Sequence, residues 1–303
     1  MQIKMFSVIG LVILGSLLLH RFSPVSSLYE FNKFWVEKTH GEGNSKFDAL
    51  ICGDSRVYRG VSSEVVASHL AGYKMFNFGY SSGSYSSFML DQIEKHIDPN
   101  GAPILILGIT PYSLTDKAAL DEHIKQELRR KKEEILEYLY LQPLKNFVEP
   151  IDLNELLTNK NDESTVKYNQ KFHNNDGWVA SSKIPSNPSA ALGEYARDFE
   201  NNKVSSIVIA GLMNRISIWT LKGYKVYGFR PPTTQAMEAL EIEKGGFNEQ
   251  EFVTLLKRSG GKWLHFNSRS YVSYDGSHLE EQSAISFSHD LGRVIESDLM
   301  NRY

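Results

Sequence analysis

The sequence predicts an α/β domain built on a doubly wound, mostly parallel sheet. Short apolar runs alternate with segments of helical spacing along much of the chain. The run at residues 103–108 is apolar almost throughout, as expected for a parallel strand covered on both faces. Glycine- and serine-rich loops follow the early strands, where ligands bind in such sheets.

Composition excludes several classes of protein. The 303 residues carry a formal net charge of −3, with 41% hydrophobic and 23% charged residues. This is ordinary globular usage, so the chain is not mostly disordered. It lacks the basic excess of a nucleic-acid binder, and its single cysteine excludes an intrachain disulfide. We predict no metal and no cofactor, because neither histidine ligand spacing nor a phosphate-binding glycine motif is present.

The first 22 residues are predicted to be a membrane segment. Residues 5–19 read MFSVIGLVILGSLLL, without a charge, and Pro24 follows. A proline disfavours helical geometry in the residue before it, so a helix ends there. We predict an uncleaved signal anchor that leaves the chain extracytoplasmic, in a bacterial periplasm or at a cell surface. A cleaved signal peptide and a buried N-terminal helix are the alternatives.

A connector and the first half of the sheet come next. Residues 23–46 are predicted to be the connector, with a short helix around residues 28–36. Three strands follow, at residues 47–52, 75–79 and 103–108. A helix after the first strand begins at Ser62 or Ser63, whose hydroxyls can cap it. Another helix follows the second strand.

An insertion at about residues 116–203 interrupts the domain. Residues 116–141 are predicted to form one long helix, because apolar residues recur every three or four positions among charges. Residues 142–190 are polar and rich in Asn, Ser and Pro, which predicts an irregular cap. A helix is predicted at residues 190–202.

The sheet pattern then resumes. Further strands are predicted at residues 205–212, 223–229 and 262–266, and helices at residues 215–221, 248–259 and 283–300. The two halves must share a sheet if the candidate site residues are to meet. We therefore predict one interrupted domain over residues 47–303.

Three chemically active side chains lie just beyond strand ends. Ser55 follows the first strand, and Asp275 and His278 follow the last. A nucleophilic hydroxyl needs a base to take its proton, and the base needs an acceptor to hold its tautomer. The pattern predicts Ser55 as nucleophile, His278 as general base and Asp275 as its orienting group. In the competing interpretation, Ser55 is a turn residue that caps a helix and His278 is a surface histidine.

Three segments resemble sequence blocks of the SGNH (GDSL-like) hydrolase superfamily. They are FDALICGDSRVYRG, NFGYSSGS and YDGSHL, at residues 47–60, 77–84 and 274–279. The resemblance implies a flavodoxin-like three-layer fold and an oxyanion hole that includes the N–H groups of Ser55 and Gly79. A further family block, between the second and the last of these, usually supplies a Gly-x-Asn whose side-chain amide donates to the oxyanion. This chain has Gly108-Ile109-Thr110 there, so threonine stands in place of the asparagine, and we expect its hydroxyl to be the third donor.

The Gly-Asp-Ser-Arg form and the apolar N-terminus are more similar to the membrane-anchored branch of that superfamily. This branch contains polysaccharide O-acetyltransferase-like and DltD-like proteins. The likeness implies O-acetylation of an exported or cell-surface polysaccharide, or of another hydroxyl acceptor, with a membrane-bound O-acyltransferase as partner. A carbohydrate esterase and a non-catalytic binding or assembly factor for envelope polymers are the alternatives.

Three further residues are candidates for substrate binding. Arg56 and Arg230 follow predicted strands at the edge of the site, and either can bind an anionic acceptor or form an ion pair. Trp178 lies in the insertion, where it can stack on a sugar face or anchor the cap.

Overall fold

The computed structural model describes residues 27–120, 122–141 and 167–300. Its strands are β1 (Ala49–Gly53), β2 (Met75–Gly79), β3 (Ile104–Gly108), β4 (Lys167–His173), β5 (Trp178–Ile184), β6 (Lys225–Phe229) and β7 (Lys262–Leu264). Strands β2-β1-β3-β6-β7, in that order, form a parallel sheet, and β4 and β5 form a separate antiparallel pair. The predicted mostly parallel α/β sheet is confirmed, and strands from both halves of the chain contribute to it.

Helices surround the sheet. They are α1 (Ser27–His40), α2 (Ser55–Gly60), α3 (Ser63–Ala67), α4 (Ser87–His96), α5 (Asp116–Leu120), α6 (His123–Leu128), α7 (Lys132–Leu136), α8 (Leu192–Asp198), α9 (Ser206–Leu221), α10 (Gln235–Glu243), α11 (Glu249–Arg258) and α12 (Glu281–Met300). Short 3-10 helices lie at Glu42–Asn44, Tyr112–Leu114 and Ser268–Ser270, and a π-helical turn at Glu137–Leu141.

Alternate strand residues pack on opposite faces of the sheet. Leu105 of β3 lies in the same core cluster as Leu212 of α9. Ile106, the next residue, lies in a second cluster with Leu291 of α12. Successive strand side chains point to opposite faces, so covering both faces requires the continuous apolar runs seen in the sequence. The strand order reverses beside β1, and in such sheets ligands bind there, outside the carboxyl ends of the strands.

The predicted strand at residues 205–212 and separate helix at residues 215–221 are wrong. One helix, α9, covers both, and the Ser205 hydroxyl accepts the Val208 N–H at its start. A short apolar run does not distinguish a buried strand from a buried helix. The helical spacing becomes visible only over the full element, whose buried residues are Val208, Leu212, Met213, Ile216 and Trp219.

The single long helix predicted for residues 116–141 is also wrong. Helices α5, α6 and α7 divide the described part of this segment. Glu122 is 2% exposed, and its carboxylate accepts hydrogen bonds from the hydroxyls of Ser84 and Ser86. The chain reaches this position with extended backbone angles at Glu122 (φ −94°, ψ 118°), which interrupts the helix.

The β4–β5 hairpin is absent from the sequence prediction, which assigned residues 142–190 to an irregular cap. Asp176 in its turn is 5% exposed. The Asp176 carboxylate accepts hydrogen bonds from the hydroxyls of Ser62 (2.7 Å) and Ser63 and from the Glu64 N–H (2.8 Å). These contacts dock the hairpin turn on the start of α3.

We expect Asp176→Ala to lower the free energy of unfolding by about 1–3 kcal/mol, because it leaves buried donors without an acceptor. Denaturant unfolding followed by circular dichroism measures this loss. The exposed Glu200 offers a control, and Glu200→Ala should change stability by less than about 0.5 kcal/mol. Equal stability of the two variants would contradict this account of the docking.

No helix in the described ranges is long and apolar enough to cross a membrane. The membrane segment predicted for residues 1–22 lies outside the described residues.

Candidate active site

The structure brings Ser55, His278 and Asp275 into one hydrogen-bonded line. His278 Nε2 lies 2.9 Å from Ser55 Oγ, and His278 Nδ1 lies 2.8 Å from Asp275 Oδ2. In a neutral ring, Nδ1–H donates to the carboxylate and Nε2 accepts the serine proton. This is the arrangement that activates a serine hydroxyl for attack on a carbonyl carbon.

The turn after β1 holds Ser55 in place. Asp54 caps α2, and its Oδ1 accepts the Arg56 N–H at 3.0 Å. Its other oxygen accepts the Thr110 hydroxyl at 2.5 Å, which ties the turn to the end of β3. Ser55 is the first residue of α2, so its side chain is fixed between two strand ends.

The loop before α12 holds the acid and the base. Asp275 Oδ1 accepts the N–H groups of Ser277 and His278, each at 2.8 Å. Gly276 between them has φ +95°, a left-handed conformation that residues with a Cβ rarely adopt. The Asp-Gly-Ser-His order therefore suits a turn in which one carboxylate holds both the backbone and the imidazole.

The electrostatics favour a neutral base beside an ionised acid. Burial alone would raise the pKa of Asp275, but hydrogen bonds and charge from His278, with the Ser277 N–H, outweigh it and lower that pKa to about 2. Burial lowers the pKa of His278 to about 4; the hydrogen bond to Asp275 opposes this shift and the Arg59 guanidinium adds to it. At pH 7 His278 is therefore free to accept a proton.

This pKa predicts the pH dependence of ester turnover. Below a pH of about 4 the imidazole is protonated and cannot accept the Ser55 proton. We expect kcat/KM to rise with pH through about 4 and to stay level from about pH 6 to 8. Circular dichroism at each pH separates titration from unfolding. A limb centred near the ordinary histidine pKa of about 6.5 would contradict the prediction.

Ser55, His278 and Asp275 line a cavity of about 320 Å³. The cavity contains side chains of both charges, so a polar substrate fits it better than a purely apolar one. Other lining residues include Arg59, Ser81, Ser82, Lys183, Glu194 and Asp198.

Two of the three predicted oxyanion donors, the Gly79 N–H and the Thr110 hydroxyl, already donate hydrogen bonds to side chains of this chain. The predicted composition of the oxyanion hole is therefore corrected. The Gly79 N–H donates to Asn77 Oδ1 at 2.9 Å. The Thr110 side chain is fully buried, and its single hydroxyl proton goes to Asp54. The donors that remain at the cavity are backbone N–H groups of Ser55 and of the Ser81–Ser82 turn, for which no acceptor is found in the described part of the chain.

Arg56 and Arg230 were predicted to bind substrate, but both form ion pairs within the protein. Arg56 is 2% exposed and pairs with Glu241 at 2.7 Å. Arg230 pairs with Glu241 at 2.8 Å and with Glu249 at 3.0 Å. Both guanidinium groups are held by carboxylates of this chain, so they support the site instead of facing its cavity.

Trp178 anchors the hairpin. It is 3% exposed, its Nε1–H donates to the Arg59 carbonyl at 2.8 Å, and its ring stacks on His173 with centroids 4.7 Å apart. A buried indole in these contacts has no free face for a sugar. Of the two interpretations left open by the sequence, the structure favours the anchor.

Two cations at the cavity were missed by sequence reasoning. Arg59 follows Ser55 by four residues, which places both on one side of α2, so recognition of this short helix would have identified it. Lys183 lies on β5, and no sequence signal pointed to that strand.

No protein-family model and no curated protein sequence matches this chain. A solved structure from Streptococcus pneumonia, provisionally assigned as a platelet activating factor, aligns with 88% of this chain and 90% of its own, with 9% identity and a TM-score of 0.39. This is a weak likeness at the level of the fold and carries no argument about function. The candidate site is assigned on its geometry.

Proposed function

We propose that the protein transfers an acyl group through an ester formed on Ser55. The observation that carries this proposal is His278, whose two ring nitrogens contact Ser55 Oγ and Asp275 at 2.9 and 2.8 Å beside a cavity. A serine, a neutral imidazole and a buried carboxylate in this order are the parts that acyl transfer needs.

The proposed reaction has two halves. In the first, His278 takes the Ser55 proton while Oγ attacks the carbonyl carbon of an ester, and the tetrahedral oxyanion collapses as His278 returns the proton to the departing alcohol. In the second, a new alcohol or water gives its proton to His278 and attacks the acyl-serine. Serine Oγ then leaves and regains the proton, so no cofactor is consumed.

The oxyanion of each half-reaction needs donors. We assign this role to the N–H of Ser55 and of the Ser81–Ser82 turn, since Gly79 and Thr110 donate within the protein. Backbone donors aimed at the developing charge are effective because they need no reorganisation during the reaction.

The acyl group and acceptor form the finer part of the proposal. Acetyl as the acyl group and an exported or cell-surface polysaccharide as the acceptor are supported by resemblance alone. Residues 47–60, 77–84 and 274–279 resemble the SGNH superfamily, and the Gly-Asp-Ser-Arg form at residues 53–56 is more similar to its membrane-anchored branch. The apolar residues 5–19 support a membrane-anchored, extracytoplasmic location. The likeness to the anchored branch supports a membrane-bound O-acyltransferase as partner. A carbohydrate esterase would complete the same cycle with water.

Trapping the acyl-enzyme tests the proposal. The full chain is incubated with an activated acetyl ester, and peptide mass spectrometry locates any added acetyl group. We expect the adduct on Ser55, and product analysis with and without a sugar acceptor separates transfer from hydrolysis. Absence of both adduct and ester turnover across pH 5–8 would overturn the catalytic proposal.

A non-catalytic binding factor is the second candidate, and one observation favours it. Both predicted oxyanion donors beyond Ser55 are occupied, and loss of one such donor typically costs ~10²–10³ in turnover. An intact fold that binds a polysaccharide but forms no adduct on Ser55 would support this candidate.

A further inference from the structure

Arg59 is a cation without an acidic partner in the described part of the chain. Its Nε donates to the Tyr58 hydroxyl at 2.9 Å and its Nη1 to the Tyr274 hydroxyl at 3.0 Å. The neighbouring guanidinium of Arg56, by contrast, has Glu241 at 2.7 Å. A partly buried charge without a counterion is costly, and neutral hydroxyls offset only part of that cost. Arg59 lines the cavity, where an anion from outside can complete its coordination.

Lys183 is a second such cation at the same wall of the cavity. Its Nζ lies 5.2 Å from the Tyr168 ring centroid and 5.9 Å from that of Tyr274. The Arg59 guanidinium lies 5.8 Å from the same Tyr168 ring. No carboxylate of the described residues forms an ion pair with Lys183. The two cations therefore share one aromatic support and face one cavity.

The carboxylates at the cavity do not neutralise these two cations. Asp54 accepts the Arg56 N–H and the Thr110 hydroxyl. Asp275 is engaged by His278 and two backbone N–H groups. Asp198 pairs with Lys117 at 3.1 Å. Glu194 is exposed on α8, where solvent screens its charge. The wall around Arg59 and Lys183 thus keeps unpaired positive charge.

The position of this wall identifies the part of the substrate that it contacts. The Tyr274 ring, which links Arg59 and Lys183, stacks on the His278 imidazole with centroids 5.9 Å apart and planes 17° apart. His278 exchanges its proton with the alcohol oxygen of the substrate. Groups beside His278 therefore meet the alcohol part of the substrate and not its acyl part.

We propose that the hydroxyl compound used by this site carries an anionic group, a carboxylate or a phosphate, bound by Arg59 and Lys183. The inference rests on the proposed acyl transfer through Ser55. A guanidinium fork matches the paired oxygens of either anion, and the lysine adds a second charge. The pair would select an acidic sugar or a phosphate-bearing alcohol over a neutral sugar.

Matched esters test the preference. The full chain is assayed with the acetyl esters of methyl glucoside, methyl glucuronide and a glucose phosphate, which differ in charge and share the sugar ring. We expect kcat/KM for at least one anionic ester to exceed that for the neutral ester about tenfold at low salt. The ratio should fall as ionic strength rises. The better of the two anionic esters distinguishes a carboxylate from a phosphate ligand.

Variants assign the preference to these side chains. Lys183→Gln, on a half-buried strand position, and Arg59→Lys, which keeps the charge and removes the fork, should each reduce the anionic-to-neutral ratio several-fold. Lys171→Gln is the control, because Lys171 is exposed on the neighbouring strand β4 and should leave the ratio unchanged. Equal turnover of neutral and anionic esters by the unaltered protein would overturn this inference and leave acyl transfer standing. No turnover of any ester and no adduct on Ser55 would overturn both proposals.

Discussion

Ser55→Ala is expected to lower ester turnover by at least about 10³–10⁴-fold. The Ser55 hydroxyl is the atom within 2.9 Å of His278 Nε2, and alanine leaves the base with no nucleophile to activate. The fully buried Cys52 cannot substitute, because burial raises the pKa of its thiol and disfavours the reactive thiolate. Steady-state kcat/KM with an activated acetyl ester measures the loss.

Ser68→Ala is the matched control. The Ser68 hydroxyl is exposed at the end of α3 and donates to the Val65 carbonyl at 2.6 Å, so its removal should leave turnover unchanged. Thermal unfolding of both variants shows whether either change alters the fold. Full activity in folded Ser55→Ala would refute the assigned nucleophile.

Site residues whose placement follows from the order of the strands could be predicted from the sequence. Ser55, Asp275 and His278 follow strand ends, and in a parallel sheet those ends share one edge. The roles of Gly79 and Thr110 could not be predicted in this way. Their donors are taken by Asn77 and Asp54, and a sequence pattern does not specify where those buried polar side chains point.

The same limit applies to the fold. The runs that became β2 and β3 are short and bounded by turns, so their pattern was sufficient. The short apolar run at residues 205–212 fits a buried helix as well as a buried strand. The helical spacing of apolar residues becomes clear only over the whole length of α9. The β4–β5 hairpin was missed because β4 is polar and half-exposed, and its turn is docked by Asp176, a tertiary contact.

Glu241→Gln is expected to lower the free energy of unfolding by about 3–5 kcal/mol, the range for breaking a buried ion pair from one side. The Glu241 side chain is fully buried and lies between Arg56 at 2.7 Å and Arg230 at 2.8 Å. Glutamine keeps the shape and removes the charge, which leaves Arg56 buried without a counterion. Denaturant unfolding measures the difference.

Glu249→Gln provides the control for charge removal. Within the described ranges Glu249 pairs with one cation, the outer Arg230, and its side chain is 35% exposed, so its loss should cost about 0–1 kcal/mol. If Glu241→Gln costs no more than Glu249→Gln, the buried carboxylate does not hold this network together.

The Arg56–Glu241 ion pair stabilises the fold and also contacts the loop that carries the catalytic acid and base. Arg56 Nε donates to Ser277 Oγ at 2.9 Å, and Ser277 lies between Asp275 and His278 in the loop that carries acid and base. Replacing the partners of a buried pair with apolar residues is often neutral, and Arg230, the other partner of Glu241, still has Glu249 at 3.0 Å. Arg56→Met with Glu241→Leu should therefore recover stability relative to Glu241→Gln, which leaves Arg56 buried without its counterion. It should not recover ester turnover, because the loop loses the Arg56 hydrogen bond that fixes it beside Ser55. Recovery of stability and turnover together would show that Arg56 acts only through folding.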